Sequence, residues 1–240
     1  LPEYRKIRSR KKNFLDFCFD KKSIVEATLQ PVQRYKIDCA IIFCDILIAP
    51  YVLGQKISFV KGEGPLLEKL SLEELINLKP LPQKEKDLQN TYDAIKDIRK
   101  KLNKNKCLIG FCGGPWTVAC YMINGKGDTR FSSAIEKIIQ EKALLVKLLD
   151  ELVDLSVTHL YQQYISGCDT LMIFESWAGL VPKNEFDEIL TDPVNRIIKK
   201  LRTQGVLAPI IVLPRGINEK IIDYIDEVKM DIISVDYNID

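Results

Sequence analysis

Asp45 is the residue best placed to do chemistry in this 240-residue chain. It is the single carboxylate in the apolar run CAIIFCDILIAP, Cys39 to Pro50. Moving an isolated ionised carboxylate into a dry interior costs several kcal/mol even after relaxation. Asp45 is therefore either a fixed anion at the edge of a cavity or the cap of the turn that follows it. A second motif, GFCGGP from Gly110 to Pro115, lets backbone approach a ligand closely and can turn amide N–H groups toward an anion. It lacks the Lys-Ser/Thr of a P-loop and the G-x-G-x-x-G spacing of a dinucleotide fingerprint, and its other reading is a tight strand-to-helix turn. Ser176, in FESWAG, has neither a G-x-S-x-G elbow nor a plausible His partner, so it reads as a hydrogen-bonding residue rather than a nucleophile.

These positions fall at the ends of five short, near-continuously apolar segments: Cys39 to Cys44, Cys107 to Phe111, Asp169 to Phe174, Pro209 to Leu213 and Asp231 to Val235. Runs of that kind are expected of strands buried on both faces of a parallel sheet, and helical patterns lie between them. Ser23 to Tyr35 places Ile24, Ala27, Val32 and Tyr35 on one face, with Thr28 its one polar member and Pro31 a kink. Ser71 and Glu74 form a capping box, and Leu88, Ile95, Ile98 and Leu102 mark a further helix. Ser132 to Tyr164 is one long helix or two in succession. Asp192-Pro193 opens a helix that ends near Gly205, and Asn218 to Val228 is the last. KISFVKGEGPLL reads as a small hairpin at the sheet rim. In α/β folds of this kind, ligands meet the C-terminal strand ends, which carry FCDI, GFCGGPWT, FESWAG, LPRG and SVDY.

Composition narrows the remaining classes. With 46% hydrophobic and 28% charged residues the chain is an ordinary globular one, read as a single domain over 1–240. The balance of 35 basic to 33 acidic residues gives no bulk reason to bind nucleic acid or an anionic membrane, and no apolar segment has the length of a membrane span. The basic run LPEYRKIRSRKK reads as a solvated surface segment. Seven Cys without a CxxC pair read as reduced, buried thiols of a cytoplasmic protein. A single His, His159, sits in a helical apolar pattern as a core or surface residue, so a zinc site is not expected.

The strand ends closely resemble the uroporphyrinogen decarboxylase family. The matching stretches are LPEYRKIR (1–8), TLQPVQRYKIDCAIIFCDIL (28–47), LIGFCGGPWTVACYMINGKG (108–127) and IFESWAGL (173–180), in the family's order. The resemblance implies an α/β fold of the (β/α)8 TIM-barrel type, incomplete here, with about five of its eight strands present. It implies a homodimer that removes CO2 from the four acetate side chains of uroporphyrinogen III, giving coproporphyrinogen III, with no metal or organic cofactor. Asp45 matches the family's catalytic aspartate, which accepts hydrogen bonds from the pyrrole N–H groups and stabilises a protonated pyrrole. Tyr121 matches an active-site tyrosine that would orient or hydrogen-bond Asp45, and Ser176 matches a substrate-binding serine. Tyr4 and Arg8 fall in the loop at the cleft mouth, Arg8 as a contact for a substrate carboxylate.

The family's arginine-rich stretch RQAGRY, which precedes LPEYR, and its active-site histidine have no counterpart in the chain; His159 does not match that position. Two expectations follow: a piece of an active decarboxylase, favoured by the absence of an initiator Met, or a truncated product without turnover. On either, the 240 residues alone are expected to be inactive, and an open sheet leaves strand edges and apolar surface exposed. A corrinoid-dependent zinc methyltransferase relative is the third, less favoured reading.

Overall fold

The computed structural model describes residues 1–60, 64–127, 130–237 and 239. Its strands are β1 (Cys39–Ile41), β2 (Ile57–Val60), β3 (Gly64–Leu67), β4 (Cys107–Gly113), β5 (Thr170–Glu175), β6 (Ile210–Pro214) and β7 (Ile232–Ile233). Between them run α1 (Pro2–Arg8), α2 (Phe14–Cys18), α3 (Lys21–Arg34), α4 (Ile48–Val52), α5 (Leu72–Ile76), α6 (Pro82–Lys101), α7 (Pro115–Asn124), α8 (Ser132–Gln140), α9 (Lys142–Ser166), α10 (Asp192–Thr203) and α11 (Ile221–Glu227). Five strands form one parallel sheet in the order β1-β4-β5-β6-β7. That order follows the chain and never reverses. A doubly wound sheet reverses at a switch point and places helices on both faces; right-handed crossovers without a reversal keep every helix on one face. The sheet is thus an arc of a (β/α) barrel, incomplete at five strands among the described residues.

Side-chain alternation separates the two faces. Leu108, Leu171, Ile173, Ile210 and Val212 are fully buried beneath the helices. A Cβ on Gly110, in register with Leu171, would meet Gln163 of α9 and Cys168. The opposite face carries Ile41, Ile109, Met172, Ile211 and Ile232. It is apolar too, yet Ile41 and Ile232 on the edge strands are 47% and 45% exposed. The expectation of strands buried on both faces is therefore corrected at the edges, where no neighbouring strand covers the side chains. Cys39 is exposed on the same edge, which corrects the reading of uniformly buried thiols, whereas Cys18, Cys112, Cys120 and Cys168 are buried.

The helices form where their patterns place them. Ser71 and Glu74 make a reciprocal capping box ahead of α5. The segment from Ser132 divides into α8 and α9 at Glu141. Tyr35, assigned to the buried face of α3, instead ends that helix at 52% exposure; Ile24, Val25, Thr28 and Leu29 do the packing. The basic N-terminal run is not simply solvated: through Arg8 it is α1, with Pro at its N-terminus and Ile7 buried beneath it. The expected hairpin is β2 and β3, antiparallel, while its Gly turn at 61–63 lies outside the described residues.

What sets the site apart is that β1 leaves the sheet early. Ile42 N–H still donates to Ile109 O at 3.0 Å, but the next pairing on β4 is taken by a side chain. Gln163 accepts from Phe111 N–H at 2.9 Å and donates to Phe111 O at 2.8 Å, occupying the edge that β1 vacates. Phe43 N–H turns to Thr28 Oγ1 at 2.9 Å, and Thr28 in turn donates to Ile24 O at 2.8 Å. Thr28 thus ties the loop that carries Asp45 to α3. Thr28→Val removes that acceptor and strands Phe43 N–H, so urea unfolding should show a loss of about 1–3 kcal/mol. Thr28→Ser should stay near wild type, and equal behaviour of Val and Ser would dismiss the tether.

Candidate functional site

Asp45 lies in the loop four residues beyond the last β1 residue, half-buried. Its Oδ1 accepts Leu47 N–H at 2.8 Å, so it does cap the following turn. It also lines a cavity of about 150 Å3 whose other walls are α4, α6, the end of β4 and α9. Both readings of the sequence hold at once: one oxygen is spent on the turn, and the carboxyl group borders open space. Burial pushes the Asp45 pKa up, and the Leu47 amide partly opposes this. An anion held there is short of solvent and responds strongly to any cation brought near. His159 lines the same cavity but is a core histidine: Tyr92 Oη shares a hydrogen bond with Nδ1 at 3.0 Å, and burial lowers its pKa to about 4, so it is neutral.

An aromatic cluster closes the other side of the Asp45 loop. Phe43 packs against Tyr4, Phe14 and Phe17, with centroids 5.7, 6.2 and 5.0 Å away. Arg8 sits over this cluster, its Cζ 5.6 Å from the Phe14 ring and 5.9 Å from the Phe17 ring. Its Nη1 donates to Lys11 O at 3.3 Å. Arg8 and Asp45 form no ion pair; burial raises the pKa of Cys18, and the charges of Asp45 and Arg8 act on it in opposite directions, Asp45 raising it and Arg8 lowering it.

Tyr121 projects from α7, half-buried against Phe131 at 5.3 Å. Burial raises its pKa, the Trp177 indole lowers it, and Asp45 is near enough to raise it further. Among the described residues no hydrogen bond joins Tyr121 to Asp45, and the contact between them is electrostatic. Trp177 Nε1 is buried near Tyr121, close enough to lower its pKa, and makes no other hydrogen bond among the described residues. Ser176 follows the end of β5, half-buried, with no hydrogen bond to its hydroxyl among the described residues.

The GFCGGP motif proves to be a strand-to-helix turn whose anion is internal. Glu175, the last residue of β5, is fully buried against the N-terminus of α7. Its Oε1 accepts Trp116 N–H at 3.1 Å, while Oε2 accepts Thr117 N–H at 2.9 Å and Thr117 Oγ1–H at 2.7 Å. Two further bonds close the network: Trp177 N–H to Thr117 Oγ1 at 3.3 Å, and Trp116 Nε1–H to Trp177 O at 2.9 Å. The sequence held one sign of this, a second carboxylate closing an apolar strand immediately before Ser176. Among the described residues, no group of three or more His, Cys, Asp or Glu is gathered as metal ligands, and no helix is long and apolar enough to cross a membrane.

Three comparisons bear on this arrangement. The family model described as "Uroporphyrinogen decarboxylase (URO-D)" matches residues 1–240. A protein of Rickettsia felis named uroporphyrinogen decarboxylase is 40% identical over 237 residues, covering 98% of this chain and 68% of the relative. One of Rickettsia canadensis with the same name is 40% identical over 236 residues, covering 98% and 69%. In fold, a solved structure described as a methyltransferase from Methanosarcina mazei superposes with a TM-score of 0.65 at 15% identity. It covers 81% of this chain, and the chain spans 56% of that structure.

Proposed function

The chain belongs to the uroporphyrinogen decarboxylase family, and from that premise we propose that it removes CO2 from the acetate side chains of uroporphyrinogen III, giving coproporphyrinogen III. The observation that supports this most is Asp45: a carboxylate with one oxygen fixed by Leu47 N–H, the other without a hydrogen bond among the described residues, and a pKa raised by burial. The reaction calls for such an anion. Cleaving the C–C bond to CO2 on an electron-rich pyrrole leaves an electron pair with nowhere to go. Protonation of a pyrrole carbon first makes the ring a cation; as CO2 departs, the pair flows into the ring and leaves an exocyclic methylene. A proton added to that methylene completes the methyl group, and the ring carbon releases its added proton to restore the pyrrole, so one proton is consumed per CO2 lost. Asp45 stays ionised and stabilises the cation as it forms, a preorganised electrostatic contribution that costs no reorganisation during the reaction.

Tyr121 and Ser176 bind the macrocycle beside it, and Arg8 at the α1 end takes a substrate carboxylate. The same family membership supports a homodimer working in the cytoplasm. The test is incubation of uroporphyrinogen with the protein prepared at the length of its relatives, followed by separation of the porphyrins by carboxylate number. Products with fewer carboxylates, ending in coproporphyrinogen, are expected; recovery of unchanged uroporphyrinogen would sink the reading.

A further inference from the structure

Glu175 connects the two elements that carry Tyr121 and Ser176. Its backbone precedes Ser176 directly, and its carboxylate holds the first turn of α7, the helix on which Tyr121 lies four residues beyond Thr117. The Trp177 N–H to Thr117 and Trp116 indole to Trp177 O bonds make the joint a closed ring rather than a single tie. We propose that Glu175 is a positioning residue: ionised, it fixes α7 against the 175–177 loop, and so sets Tyr121 and Ser176 at their working separation. This rests on the decarboxylase reading for what the two residues bind, though not for the joint itself.

Glu175 accepts all three of its hydrogen bonds, the arrangement an ionised Glu requires; a protonated carboxyl group brings a donor of its own and displaces one of them. Burial pushes Glu175 up to about 7, with Thr117 and the two amides opposing. The other titratable groups facing it are Cys112 on β4, Cys120 on α7 and Tyr224 on α11. Burial pushes Cys112 up to about 12 and the other two well above their usual values, so they stay neutral where Glu175 changes charge. Ionisation near neutrality therefore closes the ring, and protonation opens it.

The two tryptophans of the chain are Trp116 and Trp177, both in the ring, so intrinsic Trp emission reports on this joint alone. In the 240-residue chain the emission should shift to the red as pH falls through about 7. Glu175→Gln should remove the transition while far-UV circular dichroism is unchanged; a transition of the same midpoint in the Gln variant overturns the proposal. Should that variant fail to fold, Thr117→Val decides: loss of one bond to the ionised form must raise the midpoint, with Thr117→Ser restoring it, and an unmoved midpoint overturns the proposal. The readout needs no substrate, so it fails separately from the decarboxylase assignment. In turnover, Glu175→Gln should lower kcat on the order of tenfold to a hundredfold with KM changed less, since small misplacements of reacting groups carry that penalty; unchanged kcat overturns the positioning role.

Discussion

Asp45→Asn in the protein at the length of its relatives should lower uroporphyrinogen turnover on the order of 10²–10³-fold while leaving the fold intact. Asn keeps the shape, and its Oδ1 still accepts from Leu47 N–H, so the turn survives. Only the charge is lost. Burial raises the Asp45 pKa, so the folded state is penalised when the group ionises: stability from this group is full at low pH and falls as pH rises through the raised pKa. Asn removes that penalty and should not destabilise the protein in urea. Activity runs the other way. It needs the anion, so wild-type kcat/KM should fall as pH drops through the raised pKa, at a higher pH than for an ordinary carboxylate, and Asn should abolish that limb. Full activity in the Asn variant, or an acid limb identical with Asp and Asn at position 45 in a Glu175→Gln background that removes the Glu175 titration, would remove Asp45 from the mechanism.

The strand centres and the order of elements can be read from the chain because each depends on local pattern: apolar runs for β4, β5 and β6, a Ser-x-x-Glu box for α5. Strand ends cannot, because pairing sets them. CAIIFC reads as one strand to Cys44, but the ladder stops at Ile41 because Gln163, more than 50 residues away on another layer, takes the edge of Phe111. The break between α8 and α9 at Glu141 leaves no mark in the periodicity of the segment. Asp45 stood out as a charge in an apolar run. Glu175 did not, since what distinguishes it is a contact across 58 and 59 residues with two backbone amides, and backbone amides have no sequence signature.

Gly114→Ala should cost roughly 3 kcal/mol or more of stability. The backbone is not the reason: Gly114 has φ −67°, open to every residue. The reason is room, because a Cβ there would lie inside the Glu175 side chain, against Cδ, Oε1 and Cγ. That carboxylate has nowhere to go, since three donors hold it. Moving it leaves buried amides unpaired at about 1–3 kcal/mol each, and moving α7 instead disrupts fully buried Trp116 and Met122. Gly205→Ala is the control with the opposite origin: φ is +83° and nothing lies within 4 Å, so about 1–2 kcal/mol of backbone strain is all it should lose. Urea unfolding of both variants separates the causes, and Gly114→Ala no worse than Gly205→Ala would refute the steric account. A double-mutant cycle sharpens it. Glu175→Ala removes the clashing atoms, so Gly114→Ala should cost far less in that background, whereas in Glu175→Gln, which keeps the volume, its cost should persist.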